Sequence, residues 1–224
     1  MRAVGEPTDL ELLEQWRAGD RTAGDRLFQR HFRAILRFFR NKVEPSALED
    51  LVQQTFMACV EGRERFRQES KFTTYLFGTA YNLLRDHYRR AKKKPDAVDI
   101  TEQSAVDLGA GPSTVMGRRR AHKVLLEALR RIPVQSQIVL ELYYWEEMSA
   151  SQTAAVLQIP EGTVRGRVRR AKELLRREIA KLDDNAAELE TIEGGLDNWA
   201  ASLREMLEDE AADAANVDPD DEPA

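Results

Sequence analysis

Residues 149–180 read SASQTAAVLQIPEGTVRGRVRRAKELLRREIA, and this stretch decides the fold class of the chain. It predicts a short helix over 149–157, a tight turn over 158–160 and a longer helix over 161–180. A short helix, a tight turn and a longer helix in this order form a helix-turn-helix. The longer helix is predicted to bury one face, which recurs at helical spacing and holds Val164, Val168, Ala171, Leu175 and Ile179.

The longer helix also carries a stripe of basic side chains. A DNA major groove accepts a helix, and arginine either pairs with guanine edges or binds phosphates there. A solvated basic face is the common alternative, and the turn spacing favours contact with DNA over it. The stripe consists of Arg165, Arg169, Lys172 and Arg176, with Arg167 and Arg170 beside it.

The first half of the chain also predicts helices, and it contains no alternating β-branched run and no Asn-Gly hairpin signal. Capping-box patterns at Thr8–Glu11 and Ser46–Glu49 mark two helix starts. A second helix is predicted over about 21–41, and a fourth begins near Phe72. We expect these four helices to form one bundle over about residues 8–93.

The fourth helix has a second face, opposite its apolar one, that carries Gly78, Tyr81, Asn82, Arg85 and Arg89 at helical spacing. An aromatic ring can stack on a base, an amide can read a base edge, and cations follow a phosphate backbone. The face therefore suits single-stranded nucleic acid. The alternative is that the tyrosine is a half-buried core residue and the asparagine an exposed polar one, and spacing alone does not separate these interpretations.

The third helix has a polar face of acidic and amide side chains with one methionine. Such a face is either simply solvated or a docking surface for a basic protein partner. It consists of Glu49, Asp50, Gln53, Gln54 and Met57.

The composition excludes several classes of protein. Of the 224 residues, 42% are hydrophobic and 33% are charged, so a core is possible and the surface is highly charged. The single cysteine, Cys59, excludes an intramolecular disulfide and a multi-cysteine zinc site. The three histidines lie far apart, and no metal, cofactor or catalytic motif occurs. No apolar stretch of about 18 residues occurs, so we expect no membrane insertion and a soluble cytoplasmic protein.

The net charge of −5 is an average over two parts of opposite sign. Residues 183–224 hold 15 acidic side chains and one basic side chain, a net charge of −14, so residues 1–182 carry +9. This suggests either a polyanion-binding body that the tail can mask or an ordinary body with a solubilising tail.

Residues 95–117 are acidic, contain loop formers and lack lysine and arginine, which predicts a flexible linker.

Together these motifs resemble the sigma-70 family of bacterial RNA polymerase sigma factors, specifically its small extracytoplasmic-function (ECF) type. The resemblance covers about residues 10–180, and the order of the blocks across a linker is specific, whereas one block alone is weak. EDLVQQTF at 49–56 is similar to region 2.2 of the family. Three blocks are similar to regions 2.3 and 2.4, namely FTTYLF at 72–77, AYN at 80–82 and DHYRR at 86–90. Two blocks are similar to region 4, namely ALRRIP at 128–133 and IPEGTVR at 159–165.

The resemblance implies an all-α protein of two small bundles, region 2 over 8–94 and region 4 over 118–182, joined by the linker 95–117. Core RNA polymerase is then the partner, through its β′ clamp helices and β flap, and promoter DNA is bound at its −10 and −35 elements. The polymerase is the catalyst, so the chain is a specificity factor without enzyme activity or cofactor. Two alternatives remain open, a helix-turn-helix regulator that works without polymerase and an interaction protein without promoter activity.

The resemblance also assigns three sets of contact residues. Expected contacts to the −10 element are Tyr81, Asn82, Arg85, Asp86, Arg89 and Arg90. Expected contacts to the −35 element are Thr163, Arg165, Arg167, Arg169, Arg170 and Lys172. Expected contacts to polymerase are Glu49, Asp50, Gln53, Gln54 and Met57.

Some residues differ from the common family pattern and bear on which promoter is recognised. Gly78 and Tyr81 stand where arginine is common, which reduces the positive charge of the fourth helix. In the helix-turn-helix, Gln152 stands where glutamate is usual and Gln158 where glycine is usual. Gly166 replaces a common serine and costs up to about 1 kcal/mol of helix propensity.

Residues 183–224 extend beyond the end of minimal family members. They are expected to be helical over about 186–210, with an apolar seam, and disordered after that. Our hypothesis is that this tail packs on the basic body as an intramolecular brake, replacing or assisting an anti-sigma factor. The alternative is that the seam only extends the core of the second bundle. The seam consists of Leu189, Ile192, Leu196, Trp199, Leu203 and Met206.

Overall fold

The computed structural model describes residues 6–64, 71–91, 102, 104–106 and 120–182. Across these ranges the chain forms eight α-helices and one turn of π-helix, and no strand occurs in them. The all-α prediction is therefore confirmed for the part of the chain that is described. The predicted tail with its apolar seam lies outside the described residues.

The first four helices form one bundle around a shared core. Thr8 caps the first helix as predicted, because Glu11 N donates to Thr8 Oγ1 at 3.3 Å and Thr8 N donates to the Glu11 carboxylate at 2.7 Å. The predicted capping box at Ser46 is wrong, because the third helix begins at Pro45 with Glu44 as its N-cap, so Ser46 already lies in its first turn. The bounds are α1 Asp9–Arg17, α2 Arg21–Arg40, α3 Pro45–Gly62 and α4 Phe72–Ala91.

Close approaches between helices hold this bundle together. Gly24 on α2 faces the indole of Trp16 so closely that an added Cβ would lie 2.7 Å from it. Gly62 at the end of α3 meets the Tyr75 hydroxyl in the same way. Fully buried apolar side chains fill the centre, and each contributes roughly 1.5–3 kcal/mol by leaving water. They include Leu27, Ile35, Phe39, Leu76 and Leu84.

The remaining helices form a second bundle that contains the helix-turn-helix. The predicted buried face of its last helix is confirmed, from Val164 through Ile179. Pro133 lacks an amide proton and separates the first two helices of this bundle. The bounds are α5 Arg120–Arg131, α6 Val134–Leu140, the π-turn Glu141–Trp145, α7 Ala150–Leu157 and α8 Glu161–Leu182.

The predicted three-residue turn of the helix-turn-helix begins with a left-handed residue. Gln158 ends α7 with φ of 56°, a conformation that usually favours glycine. Ser149 and Gln152 form a capping box at the other end of α7, in which Gln152 N donates to Ser149 Oγ at 3.2 Å. Gln152 thus takes the place of the usual glutamate in this motif.

The predicted linker is described only at Glu102 and over Ser104–Val106, and this short segment lies on the second bundle. Ser104 pairs with Pro133 as an isolated β-bridge, and Val106 N donates to the Arg130 carbonyl at 3.3 Å. Ala105 is fully buried. The middle of the linker is therefore anchored at the junction of α5 and α6.

The two bundles pack against each other along two seams. In one seam α7 lies along α4. In the other, the end of α2 meets the π-turn, where Arg37 pairs with Glu146 at 2.9 Å and Lys42 pairs with Glu141. A small cavity lies between the bundles at the second seam, and its lining includes Phe38, Phe77, Leu129, Leu142 and Trp145.

Candidate nucleic-acid interface

The outer face of α8 is a basic surface open to solvent. Thr163, Arg165, Arg169 and Arg170 are exposed there, because the opposite face of the helix is buried in the second bundle. An exposed helix with arginines at this spacing can enter a major groove and reach both base edges and phosphates. Four of the six residues predicted to contact duplex DNA therefore share one accessible face.

The other two predicted duplex contacts lie differently. Arg167 is half-buried, and one of its terminal guanidinium nitrogens is enclosed without a hydrogen-bond partner. Lys172 is also half-buried, with its ammonium 4.8 Å from the centre of the Tyr144 ring, which is a cation–π distance. Arg167 lies next to the buried face of α8, whereas Lys172 belongs to the same stripe as Arg165 and Arg169 and is half-buried where it contacts Tyr144.

The polar face of α4 is partly open and partly covered. Asn82, Arg85, Arg89 and Arg90 are exposed, and Arg89 pairs with the half-buried Asp86 at 3.0 Å. These residues follow one another along the helix and can track a nucleic-acid backbone. Five of the six residues predicted to contact the −10 element are therefore at least partly accessible.

Tyr81 is the exception, because only 2% of it is exposed. Its hydroxyl accepts a hydrogen bond from Gln135 Nε2 of α6 at 3.3 Å, and the Arg85 guanidinium lies 5.7 Å from its ring centre. Of the two interpretations left open for Tyr81, this arrangement fits the core residue, since the second bundle encloses the ring, and the predicted contact with the −10 element stays a prediction. The physical reason is docking of α6 and α7 on α4, which periodicity within α4 cannot reveal.

Sequence reasoning missed the residues of the second bundle that contact this face. Gln158 Nε2 donates to the Asn82 amide oxygen at 3.0 Å, and Gln152 Nε2 lies 3.5 Å from the Thr74 hydroxyl. A signal was present, because both glutamines differ from the common family pattern. The sequence alone does not show which residues of α4 these glutamines contact, because that depends on how the two bundles dock.

The polar face of α3 is exposed as predicted and has an apolar border. Glu49, Asp50 and Gln53 are exposed, while Gln54 is half-buried and donates to Asp50 at 2.6 Å. Met57 is 53% exposed, which is unusual for a large apolar side chain. Val60 of α3 and Phe32 of α2 are also exposed apolar residues.

Burial changes the proton affinity of several groups in the structure. Lys42 is fully enclosed, so burial lowers the pKa of its ammonium, and the nearby Glu141 carboxylate opposes that shift. Burial likewise raises the pKa of the Cys59 thiol to about 12. Cys59 is therefore an inert core residue rather than a reactive thiol.

The described residues also bear on metal binding and on membrane insertion. Within the residues described, no three histidine, cysteine or carboxylate side chains come together as metal ligands. Among the helices described, none is long and apolar enough to cross a membrane.

Family models match the chain in two places that coincide with the two bundles. The model of Sigma-70 region 2 matches residues 27–94, which include α3, α4 and most of α2. The model of Sigma-70 region 4 matches residues 122–175, which include the helix-turn-helix. The order of the matches is the order that the sequence motifs predict.

Similar proteins and structures agree with these matches. The chain is 31% identical over 179 residues to the ECF RNA polymerase sigma factor SigM of Mycobacterium tuberculosis, covering 80% of this chain and 88% of that protein. It is 26% identical to the ECF RNA polymerase sigma-E factor of Haemophilus influenzae, covering 78% of this chain and 97% of that protein.

Two solved structures with the same fold are complexes of two proteins. CnrH in complex with the cytosolic domain of CnrY matches with a TM-score of 0.58 and 25% identity, over 78% of this chain and 99% of CnrH. The sigma factor RpoE in complex with the anti-sigma factor NepR from Bartonella quintana matches with a TM-score of 0.52 and 21% identity, over 71% of this chain and 97% of that chain. The chain therefore belongs to the ECF RNA polymerase sigma factors, a family of alternative sigma factors that direct transcription.

Proposed function

We propose that this chain binds core RNA polymerase and brings it to promoters by contacting DNA with two separate helical faces. One observation supports the proposal: exposed arginines lie on α8 and also on α4, in different bundles. A regulator that only binds duplex DNA needs the first face and has no use for the second. The protein acts in the cytoplasm, where polymerase is, as a specificity subunit and not as an enzyme.

The two faces have different tasks in this proposal. The open residues of α8, which are Thr163, Arg165, Arg169 and Arg170, hold the −35 element as duplex. The face of α4 captures the −10 element as single strand, with Asn82 reading a flipped base. Region 2 then corresponds to residues 8–94 and region 4 to 118–182, with 95–117 between them.

Polymerase docking is assigned to the exposed face of α3. Its acidic and amide side chains match a basic partner, and Met57 adds an apolar anchor at the border of that face. The partner surface is then the β′ clamp helices, with the β flap contacting the second bundle. An anti-sigma factor is a further partner that fits this proposal, since the similar solved structures are complexes with such a protein or with a cytosolic domain.

The first experiment measures binding to bacterial core RNA polymerase. We expect native protein to bind and Met57→Glu to bind at least about tenfold more weakly, because a charge then replaces an apolar anchor. Leu10→Glu is the matched control, since Leu10 is 46% exposed on α1, a different helix from α3, and we expect less than about a twofold change. Failure of native protein to bind polymerase while it still binds duplex DNA would contradict the proposal.

The same assay tests the tail hypothesis. A chain ending at residue 182 lacks the acidic extension, so tighter binding by this truncation than by full-length protein would support an intramolecular brake. Equal binding and equal transcription would reject the brake.

The role of Asn82 is tested with a matched pair of variants on a promoter identified by transcript mapping. Asn82→Ala and Gln158→Gly both remove the hydrogen bond between these residues, but only the first removes the proposed base reader. We expect Asn82→Ala to impair promoter opening, measured by permanganate reactivity of unpaired thymines, and Gln158→Gly to preserve it. Normal opening with Asn82→Ala would show that the residue has no reading role.

A further inference from the structure

A short part of the linker is fixed to the second bundle. Ser104 pairs with Pro133 as an isolated β-bridge, and Val106 N donates to the Arg130 carbonyl at 3.3 Å. Ala105 between them is fully buried, although Val106 beside it is 47% exposed. The chain therefore enters a socket at the junction of α5 and α6, places one methyl group inside it and returns to the surface. We call Ser104, Ala105 and Val106 the linker anchor.

The end of α5 explains why this socket exists. Carbonyl groups in the last turn of a helix have no donor within the helix, and the Arg130 carbonyl lies in the last turn of α5. Pro133 follows shortly after the end of α5 and has no amide proton with which to continue the helix. The Val106 amide donates to the Arg130 carbonyl instead, so the linker helps to cap α5.

The linker anchor does not depend on how the two bundles are arranged. Both of its partners, Arg130 and Pro133, belong to the second bundle. Holding two promoter elements along one duplex requires the bundles to separate, and because these contacts lie within the second bundle, that separation leaves them in place. The anchor therefore moves together with the second bundle.

The position of the linker anchor determines how far the bundles can separate. Between Ala91, the last residue of α4, and Arg120, the first residue of α5, lie the 28 residues 92–119, which reach about 100 Å when fully extended. Only 12 of them, residues 92–103, precede the anchor, and these reach about 45 Å. The anchor therefore removes more than half of the reach that the length of the linker provides.

We propose that the linker anchor limits the separation of the −10 and −35 elements that this protein accepts. Ala105 is then a specificity-determining residue for promoter spacing, and it acts through the length of the linker rather than by touching DNA. The inference rests on the proposed function for the presence of two promoter contacts, and it adds the largest distance between them.

The geometry of duplex DNA converts this length into a testable change of the promoter. One added helical turn lengthens the duplex by about 34–36 Å and keeps both elements on the same side of it. That turn uses most of the reach of about 45 Å that the anchored linker has. A linker released from the socket gains about 55 Å, which is more than the added turn requires.

Two insertion variants of the full chain form the main test. Ten glycine and serine residues inserted within 92–103 lengthen the part of the linker before the anchor by about 35 Å. The same ten residues inserted within 107–119 are the matched control, because they lengthen the linker equally but after the anchor. Neither insertion changes a residue of the socket, so the comparison does not depend on how a substituted socket folds.

The measurement is transcription by holoenzyme reconstituted with core polymerase. The templates are a promoter identified by transcript mapping and the same promoter with one helical turn added between its two elements. We expect the native chain and the control insertion to transcribe the longer promoter at least about tenfold less than the natural one, because a linker that cannot span two sites loses its effective concentration. The insertion before the anchor should lose less than about threefold.

A pair of substitutions tests the anchor itself. Ala105→Glu should release it, because a carboxylate is too large and too polar for a site that encloses one methyl group. Val106→Glu is the control, since it adds the same charge on an exposed side chain and keeps the amide that donates to Arg130. Hydrogen exchange of the amides at 104–106 should be at least about tenfold faster in Ala105→Glu than in the native chain or the control. Ala105→Glu should also transcribe the longer promoter as the first insertion does.

Equal transcription of the longer promoter by the two insertion variants would overturn the inference, and so would an unprotected Val106 amide in the native chain. A failure of the proposed function gives a different result, which is loss of polymerase binding or of transcription from the natural promoter by the native chain. The exchange measurement needs neither polymerase nor DNA, so it reports on the anchor in that case as well.

Discussion

Helices α4 and α8 both carry arginines on a polar face, but the two faces differ in how much of them the rest of the protein covers. Arg165 and Arg169 on α8 are exposed to solvent, because the buried face of that helix, from Val164 to Ile179, lies on the opposite side. On α4, Tyr81 is buried under the second bundle, and Asn82 accepts a hydrogen bond from Gln158 of that bundle. A binding face is thus defined by what covers it as much as by the residues that form it.

The difference originates in where the helix-turn-helix docks. Its first helix, α7, contacts α4, while its second helix, α8, is directed away from the seam and packs on α5 and α6. One small motif therefore covers part of the predicted −10 face and leaves most of the predicted −35 face exposed. Substitutions at four places in the chain test this contrast, and their expected effects decrease from the buried seam to the edge of α8.

The largest effect is expected from Lys42→Met, which removes the buried cation at the seam between the bundles. We expect the free energy of unfolding to fall by about 3–5 kcal/mol, because Glu141 then loses its partner in a largely enclosed site. Arg131→Ala is the control, since its pair with Glu127 is exposed and is worth about 0.3–0.5 kcal/mol. Urea unfolding measures both, and a Lys42→Met protein as stable as the control would show that the seam does not hold the bundles.

The next effect concerns the open face of α8. Arg165→Ala and Arg169→Ala are each expected to weaken duplex binding by ~1–3 kcal/mol where the side chain contacts a base edge. The measurement is anisotropy on promoter duplexes that vary at single positions of the −35 element. A loss spread evenly over all sequences would assign the arginine to a phosphate instead.

A smaller effect is expected at the turn that joins the two helices. Gln158→Gly and Gln158→Ala both remove the hydrogen bond to Asn82, but only alanine has to adopt the left-handed backbone with a Cβ. We expect the glycine variant to be more stable than the alanine variant by roughly 1 kcal/mol in urea unfolding. Equal stability would mean that position 158 leaves the left-handed conformation when its side chain is shortened.

The smallest effect is expected from Arg167→Ala. Arg167 has the charge of its neighbours, but it is half-buried and one guanidinium nitrogen is enclosed. Duplex affinity should therefore change by less than roughly twofold, or about 0.4 kcal/mol. A loss as large as that of Arg165→Ala would show that the side chain swings out to bind DNA.

Much of the local structure follows from local sequence patterns. The spacing of Val164, Val168 and Ala171 predicts the buried face of α8, and the structure buries all three. The capping box at Thr8 was recognisable from two residues. At Ser46 the same pattern was misleading, because Pro45 is suited to the first turn of a helix and α3 begins there, which places Ser46 inside the helix.

The sequence predicted which residues form the candidate sites better than it predicted which of those residues are exposed. The exposed residues of α3 and α8 were identified because their helices each bury one face, which leaves the opposite one in water. Tyr81 was ambiguous by spacing and is buried in the structure. Gly78 and Gly166 have open space around them, and nothing in the structure explains either glycine.

Local sequence was enough to specify the helices, the helix-turn-helix and the basic face of α8, because these depend on residues within a few turns of one another. The covering of α4 and the burial of Lys42 depend instead on contacts between the two bundles. The pairs involved are far apart in sequence, with a separation of 54 positions for Tyr81 and Gln135 and of 99 for Lys42 and Glu141. No periodicity relates positions so distant, so their meeting depends on how two preformed bundles dock.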